Sequence, residues 1–547
     1  MDELETIADW NPSMPSQPLR TEKTQFVMES RRAWSILTIV WAAFSMVLLA
    51  PGNLVITSHW ADALHLVDIL DRMSQGQRPH LDFVTPLGEL AFSPISDLMA
   101  AGVPTGQAFL VVQILMAGGL AAAGLAIAVK RMPWVWALAF ACAVMVITLA
   151  LVHGRPEFSL SINVHYNRWC WALSFVALLA ALLQPDKPAL WEAVFIGVAL
   201  AGLALIKITY FVAFLPLAVL GLLVTRQTRV VIIALATGLT IAILLTVLWG
   251  MDYWLAYLDD LLYIARSDAR PYAGGGVLRM VTSAQMLAPA VLTAIAAYLL
   301  VRDGAQRKGL LLVCTFLAGA YVSDQNAGFD PLFLGFEALL LLVWAPKLTD
   351  FRRFGLTVIS LGLAVAVAPN FFNLATSPVR AALADRSGFV PLVIGSSHHQ
   401  DVLLERGAAL SGGQYFVVDD GQREFFGQRP AGPVEFLNEA LPDCQSMVSP
   451  RYFASIAADL EERDLAQGQA IFVADYLSPL WLFGDFPPLV GAAPWSYGGL
   501  NGIENADFVL FPVCPNRVSV NRSILRELAE VPMTEVLRTP LYRLYAL

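Results

Sequence analysis

Three histidines and four aspartates crowd into "SHWADALHLVDILDRMSQGQRPHLDFVTPLG", residues 58 to 88, in a chain that is 57% hydrophobic and 14% charged. Asp62 and His65 are three apart and so share one face of a helix. A carboxylate just above an apolar membrane surface is partly desolvated, which raises its pKa toward that of a working general base. Asp62 lies nearest the end of the first apolar run and is the best-placed of the four aspartates, with His65 and His80 as candidate binding residues in the same stretch. A second polar cluster, "HGRPEFSLSINVHYNRWCW", brings His153, Arg155, Glu157, His165, Tyr166, Asn167 and Arg168, and "SDQNAGFDP" brings Gln325 and Asn326. Lys207, in "LIKITY", stands among apolar residues, where a lone cation is a functional candidate by default. Arg168 and Lys207 together suit a phosphate or pyrophosphate anion.

Long apolar segments must position these groups. The 547 residues have a mean hydropathy of +0.61, the mark of a polytopic membrane protein rather than a soluble core. Eleven crossings are expected, at roughly 34 to 57, 106 to 129, 133 to 153, 168 to 184, 190 to 206, 208 to 224, 230 to 250, 286 to 301, 309 to 323, 330 to 346 and 356 to 373. Residues 1 to 33 are polar and acidic, without the apolar core of a removable signal peptide, so the first crossing is expected to act as its own anchor.

Arg31 and Arg32, Lys130 and Arg131, Lys187, Arg226 and Arg229, Arg302 with Arg307 and Lys308, and Lys347 with Arg352 and Arg353 fall at every second loop. Basic residues in short loops stay cytoplasmic, so the N-terminus is expected inside and residues 374 to 547 outside, in the periplasm of a bacterial inner membrane. All seven histidines, at 59, 65, 80, 153, 165, 398 and 399, then lie on the outer side, and the first outer loop, 58 to 105, faces water and a ligand. Lys207 falls at the outer tip of a short hairpin between residues 190 and 226, and both it and Arg168 run against the charge rule.

The net charge of -9, with no basic stripe, argues against a nucleic-acid partner. Five cysteines are too few for a disulfide scaffold. Cys142, Cys170 and Cys314 read as packing residues, whereas Cys444 and Cys514 could pair in an oxidising compartment. From about Asp385, short β-rich runs alternate with helical patterns, which predicts a small α/β domain that recognises an acceptor or covers the outer loops. "GSSHHQD", residues 395 to 401, lacks the context of a nucleophile elbow. His59, His65, Asp62, Asp68 and His165 could supply ligands to a divalent metal ion, although no spacing among them is diagnostic.

One crossing, then a long outer loop that opens on an acidic residue and continues "GQRPHLDFVTPLGELAF", resembles the first loop of the GT-C-fold glycosyltransferases, the class of protein O-mannosyltransferases and of the lipid A aminoarabinose transferase. "INVHYNRWCWAL" and "LIKITYF" are similar to segments of bacterial proteins of that class. The resemblance implies an α-helical polytopic GT-C-like domain over 34 to 373 and an extracytoplasmic α/β domain over 374 to 547. It also implies inverting transfer of a sugar from a polyprenyl-phosphate donor to a glycan, lipid or protein acceptor. Asp62 would be the base, and Lys207 and Arg168 would face the lipid phosphate. The class usually carries an acidic pair where this sequence has Asp62 followed by Ala63, which leaves the base open between Asp62, Asp82 and both.

Two other readings stand beside this one. A transporter or flippase predicts charged or broken helices at mid-membrane and two repeat-related halves, whereas here polarity gathers at the outer edge. A non-catalytic membrane scaffold has no need of an acidic loop and two cations on one side.

Overall fold

The computed structural model describes residues 18–154, 157–185, 188–267, 282–326, 330–345, 350–410, 415–417, 435–437, 439–442, 444–446 and 448–547. Arg155, Lys187, Lys347 and the N-terminal 17 residues lie outside the described residues.

The apolar runs become helices: α1 (Pro18–Leu49), α4 (Thr105–Ala128), α5 (Trp134–Leu149), α6 (His165–Leu182), α7 (Leu190–Ile206), α8 (Ile208–Val224), α9 (Thr228–Trp249), α11 (Ala284–Arg302), α12 (Gln306–Gln325), α13 (Phe333–Trp344) and α14 (Asp350–Leu383). Their side chains are apolar nearly all round, as lipid-facing and bundle-core helices must be. Among the described residues five helices are long and apolar enough to cross a membrane and four more are shorter apolar helices, so the chain is a polytopic helical membrane protein. Trp169 and Trp171 are fully buried at the bundle centre, where Phe175 stacks on Phe336 at 5.3 Å. On α7, Glu192 is held by Lys130 at 3.0 Å and by Arg131, which ties α7 to the basic turn between α4 and α5.

Two boundaries differ from the sequence expectation. The first crossing stops at Leu49 because Pro51 cannot donate to a helix and Gly52 turns with φ 71°; Leu54–Ile56 is then a strand, β1. The last apolar helix runs past 373: α14 continues to Leu383 with Pro378 inside it, so residues 374 to 383 are helical.

Above the bundle lie α2 (Trp60–Ser74), a 3-10 turn (Glu89–Ala91), α3 (Ser93–Ala100) and α10 (Met251–Arg266). The C-terminal domain is tied to them by backbone. β1 pairs in parallel with β3 (Val402–Glu405), with Leu54 opposite Val402, and β2 (Phe389–Pro391) pairs antiparallel on the other side of β3. The domain's main sheet has the order β10-β11-β9-β8, from β8 (Ile471–Val473), β9 (Phe508–Pro512), β10 (Thr534–Arg538) and β11 (Tyr542–Ala546). The helices Pro450–Glu462 and Val518–Leu528 complete its α/β character, and a disulfide joins Cys444 to Cys514.

Candidate functional site

α2 carries the first half of the site. Ala63, Leu64, Leu66, Val67, Ile69 and Leu70 bury most of its surface, and Asp62 and His65, one turn apart, share a recess with Leu66. The helix opens at His59, whose φ of 56° is left-handed, directly after a clasp in which Thr57 N–H donates to Leu160 O at 2.9 Å and Leu160 N–H donates to Thr57 Oγ1 at 2.8 Å. The clasp binds the start of the loop between α1 and α4 to the loop between α5 and α6, which brings Asn163 beside Asp62. Burial raises the Asp62 pKa to about 6, with the Asn163 side chain pulling the other way. Burial also lowers His65 to about 3, so its imidazole is neutral at ordinary pH.

The second half comes from the break between α7 and α8. Lys207 is extended, φ -155° and ψ 110°, so one helix ends and the next begins at this residue. The carbonyls freed by the break find other donors: Ile206 O accepts from Gly88 N–H at 3.1 Å, and Ala204 O accepts from the Tyr257 hydroxyl at 3.0 Å. Gly88 is required there, because a Cβ on it would lie 2.2 Å from Leu205 O. Lys207 Nζ donates to Asn167 Oδ1 at 3.0 Å and to Asn326 Oδ1, and lies 5.4 Å from the centre of the Tyr166 ring. Asn326 is itself oriented by donating to the Tyr210 hydroxyl at 3.0 Å.

A cavity of about 640 Å³ joins the two halves. Asp62, His65, Tyr166, Lys207 and Gln325 line it, together with Ile208 and Thr209 at the start of α8. The positive end of that helix dipole and the Lys207 ammonium both favour an anion at this end of the cavity. Arg266 and Ser267 at the end of α10, and Tyr476, Trp495 and Tyr497 of the C-terminal domain, form the facing wall.

The other expected site residues are placed differently. Asn167 and Asn326 hold Lys207 rather than line the large cavity. Arg168 is fully buried, donates to the carbonyls of Val152 and Asn163, and lines a smaller neighbouring cavity with Asp330. Arg168 is not in the lining of the large cavity, so the two cations do not form one pair there. His165 Nε2 meets Ala91 O at 2.8 Å among aromatic rings, and His165 borders only a recess behind Asp62.

His80 and Asp82 lie outside the cavity lining. His80 Nδ1 is 2.7 Å from Asp260 Oδ2 and its ring stacks on Tyr257, whose hydroxyl braces the α7–α8 break. Asp82 accepts from Arg78 N–H at 2.7 Å and closes a surface turn. The five proposed metal ligands do not converge either, since Asp68 pairs with Arg72 at 2.6 Å, His165 is taken by Ala91 O, and His59 stacks on His153. Among the described residues no three such side chains form a metal-holding group. "GSSHHQD" serves docking: His399 Nδ1 meets Thr105 Oγ1 at 2.7 Å, and Asp401 accepts from Gln107 N–H at 2.9 Å.

Sequence reasoning named no residue of the aromatic wall and missed Asn163. "PWSYGG", residues 494 to 499, was the available signal, an aromatic-rich, glycine-ended turn in an otherwise mixed-charge domain.

No protein-family model matches the sequence, and no curated protein matches it. Among solved structures the chain is similar to the crystal structure of ArnT from Cupriavidus metallidurans bound to undecaprenyl phosphate, with a TM-score of 0.41 and 11% sequence identity over 94% of this chain and 97% of that one.

Proposed function

We propose that the protein is a GT-C-type glycosyltransferase that takes a sugar from a polyprenyl-phosphate donor and transfers it, with inversion, to a hydroxyl on the outer face of the membrane. The observation that carries this reading is that Asp62 and Lys207, from segments far apart in sequence, line one cavity beside the bundle. In the reaction the acceptor oxygen attacks the anomeric carbon as the bond to the phosphate oxygen breaks. The electron pair leaves with the lipid phosphate, and the acceptor proton passes to Asp62. A base whose pKa is about 6 is largely ionised at neutral pH yet basic enough to take that proton. Lys207 and the N-terminus of α8 stabilise the charge that grows on the leaving phosphate.

The basic loops, and a disulfide in the C-terminal domain, support a cytoplasmic N-terminus and an oxidising outer compartment for the cavity. The test uses the full chain in lipid nanodiscs with undecaprenyl phosphate carrying labelled pentoses or hexoses as donors and methyl glycosides, a serine-containing peptide and a lipid-linked glycan as hydroxyl acceptors, and measures undecaprenyl phosphate release. Turnover of at least one donor is expected, with a loss on the order of 10²- to 10³-fold in Lys207→Met. Absence of turnover across the donor panel overturns the assignment.

A further inference from the structure

Part of the cavity lining belongs to the C-terminal domain, next to His65, and its chemistry differs from that of the phosphate end. Tyr476, Trp495 and Tyr497 line it, with the polar side chains of Arg266 and Ser267 alongside. The wall is rigid. Asp475 accepts from the backbone N–H groups of Tyr476 and Asn516, each at 2.7 Å, and Arg517 covers Tyr476 with its guanidinium carbon 4.4 Å from the ring centre. Ser496 N–H donates to Tyr476 O at 2.8 Å, while Tyr263 and Ser267 of the outer loop donate to the carbonyls of Gly498 and Tyr497. His65 and Tyr476 meet the Trp495 ring at steep angles, 69° and 71°, so neither lies flat on the indole.

The order of groups along the cavity decides what this wall is for. Lys207 and its Tyr166 neighbour mark one end. Asp62 borders the recess that also holds Tyr166 and Asn163, and His65, one helical turn on, has its ring 5.1 Å from that of Trp495. The base therefore stands between the cation and the indole. A molecule resting on Trp495 is placed to present a nucleophile to Asp62 from the side away from the phosphate.

We infer that Trp495, flanked by Tyr476 and Tyr497, is the platform of an acceptor subsite for a pyranose ring, so that the acceptor is a carbohydrate whose attacking hydroxyl is presented to Asp62. This rests on the glycosyltransferase reading and specifies its acceptor class. The axial C–H bonds of a pyranose form an apolar, weakly positive face that complements the electron-rich face of an indole. Its equatorial hydroxyls project around the rim, within the polar surroundings that His65, Arg266 and Ser267 provide.

The test is saturation-transfer NMR on the full chain in lipid nanodiscs, with methyl glycosides of glucose, galactose, mannose and N-acetylglucosamine as probes and a serine-containing peptide as the comparison. At least one glycoside is expected to receive saturation on its ring protons, falling at least fivefold in Trp495→Ala and staying above half the parent signal in Trp495→Phe, which keeps an aromatic face. Should Trp495→Ala fail to fold, Trp495→Leu removes the ring while keeping apolar volume, and the same loss is expected. Equal saturation in the parent and the ring-less variant, no saturation of any glycoside in the parent, or saturation of the peptide alone overturns the proposal. Undecaprenyl phosphate release from a turned-over donor is measured on the same preparation. Turnover without glycoside saturation removes the acceptor subsite and leaves the transferase; saturation without turnover of any donor removes the transferase reading itself.

Discussion

Asp62 and Asp68 sit on one helix, yet their surroundings give them opposite tasks. Asp68 is fully buried, pairs with Arg72 at 2.6 Å and accepts from Trp481 Nε1 at 3.1 Å, while Arg72 also donates to Leu489 O at 2.8 Å. That end of α2 is a latch between the first outer loop and the C-terminal domain. Asp62 borders a cavity, has the neutral Asn163 as its neighbour, and is held near a pKa of about 6 by burial. A buried carboxylate with a cation on it is spent on structure, whereas one left desolvated beside an open cavity is poised for proton transfer.

Breaking the cavity end should give the larger effect. Asp62→Asn keeps shape and removes the proposed base, so donor-to-acceptor transfer is expected to fall about 10²- to 10⁴-fold. In the parent, kcat/KM should fall about tenfold per pH unit below about 6, where Asp62 becomes protonated, and that limb should vanish in the residual activity of the variant. The same substitution sharpens the comparison through stability. Because folding raises this carboxyl from 3.8 to about 6, its neutral form is favoured in the folded state; that stabilisation is complete below about pH 4 and is lost as pH rises through about 6. Asp62→Asn escapes the loss and is expected to be more stable than the parent at pH 8 by about 3 kcal/mol, with the difference mostly gone at pH 4. Thermal melts of both proteins at the two pH values check this, and a destabilised Asn variant at pH 8 would contradict the desolvation argument.

The latch should respond in the reverse sense. Asp68→Ala leaves Arg72 buried without its carboxylate and is expected to cost about 3 to 5 kcal/mol, seen as a large drop in melting temperature. Replacing both partners, Asp68→Leu with Arg72→Met, should recover most of that loss, since an apolar pair of similar size carries no desolvation cost. If the double variant melts as low as the single one, the pair contributes more than mutual compensation.

The two aspartates also show what could be read from sequence and what could not. The helical spacing of Asp62 and His65, and the position of Lys207 against the charge rule, are local signals, and these residues do line the cavity. The eleven apolar runs are legible for the same reason, since lipid imposes its pattern on contiguous residues. The division of labour between Asp62 and Asp68 depends instead on Arg72, Trp481 and Leu489, the last two lying more than 400 residues away in sequence. His80 reads like a ligand until its partner Asp260, 180 residues on, is seen to occupy it. The aromatic wall was legible only as the aromatic-rich turn "PWSYGG", because nothing near Trp495 in the sequence says that α2 will lie against it. The place of Arg168 was illegible for a related reason: that its Nη1 meets the carbonyls of Val152 and Asn163 leaves no trace in side-chain composition.

A smaller perturbation can test whether the cavity end depends on how closely its two halves are brought together. Gly88 N–H donates to Ile206 O, and a methyl group on Gly88 would overlap Leu205 O and its carbonyl carbon, at 2.2 and 2.6 Å. Both obstacles are backbone, so the first outer loop has to retreat from the α7–α8 break by a fraction of an ångström or more. Gly88→Ala is expected to cost about 1 to 3 kcal/mol of stability. It should also lower kcat about tenfold with a smaller change in donor KM, because it shifts Asp62 relative to Lys207 while removing neither group. Equal kcat in Gly88→Ala and the parent would mean that the spacing of base and cation is set elsewhere, through the clasp between Thr57 and Leu160.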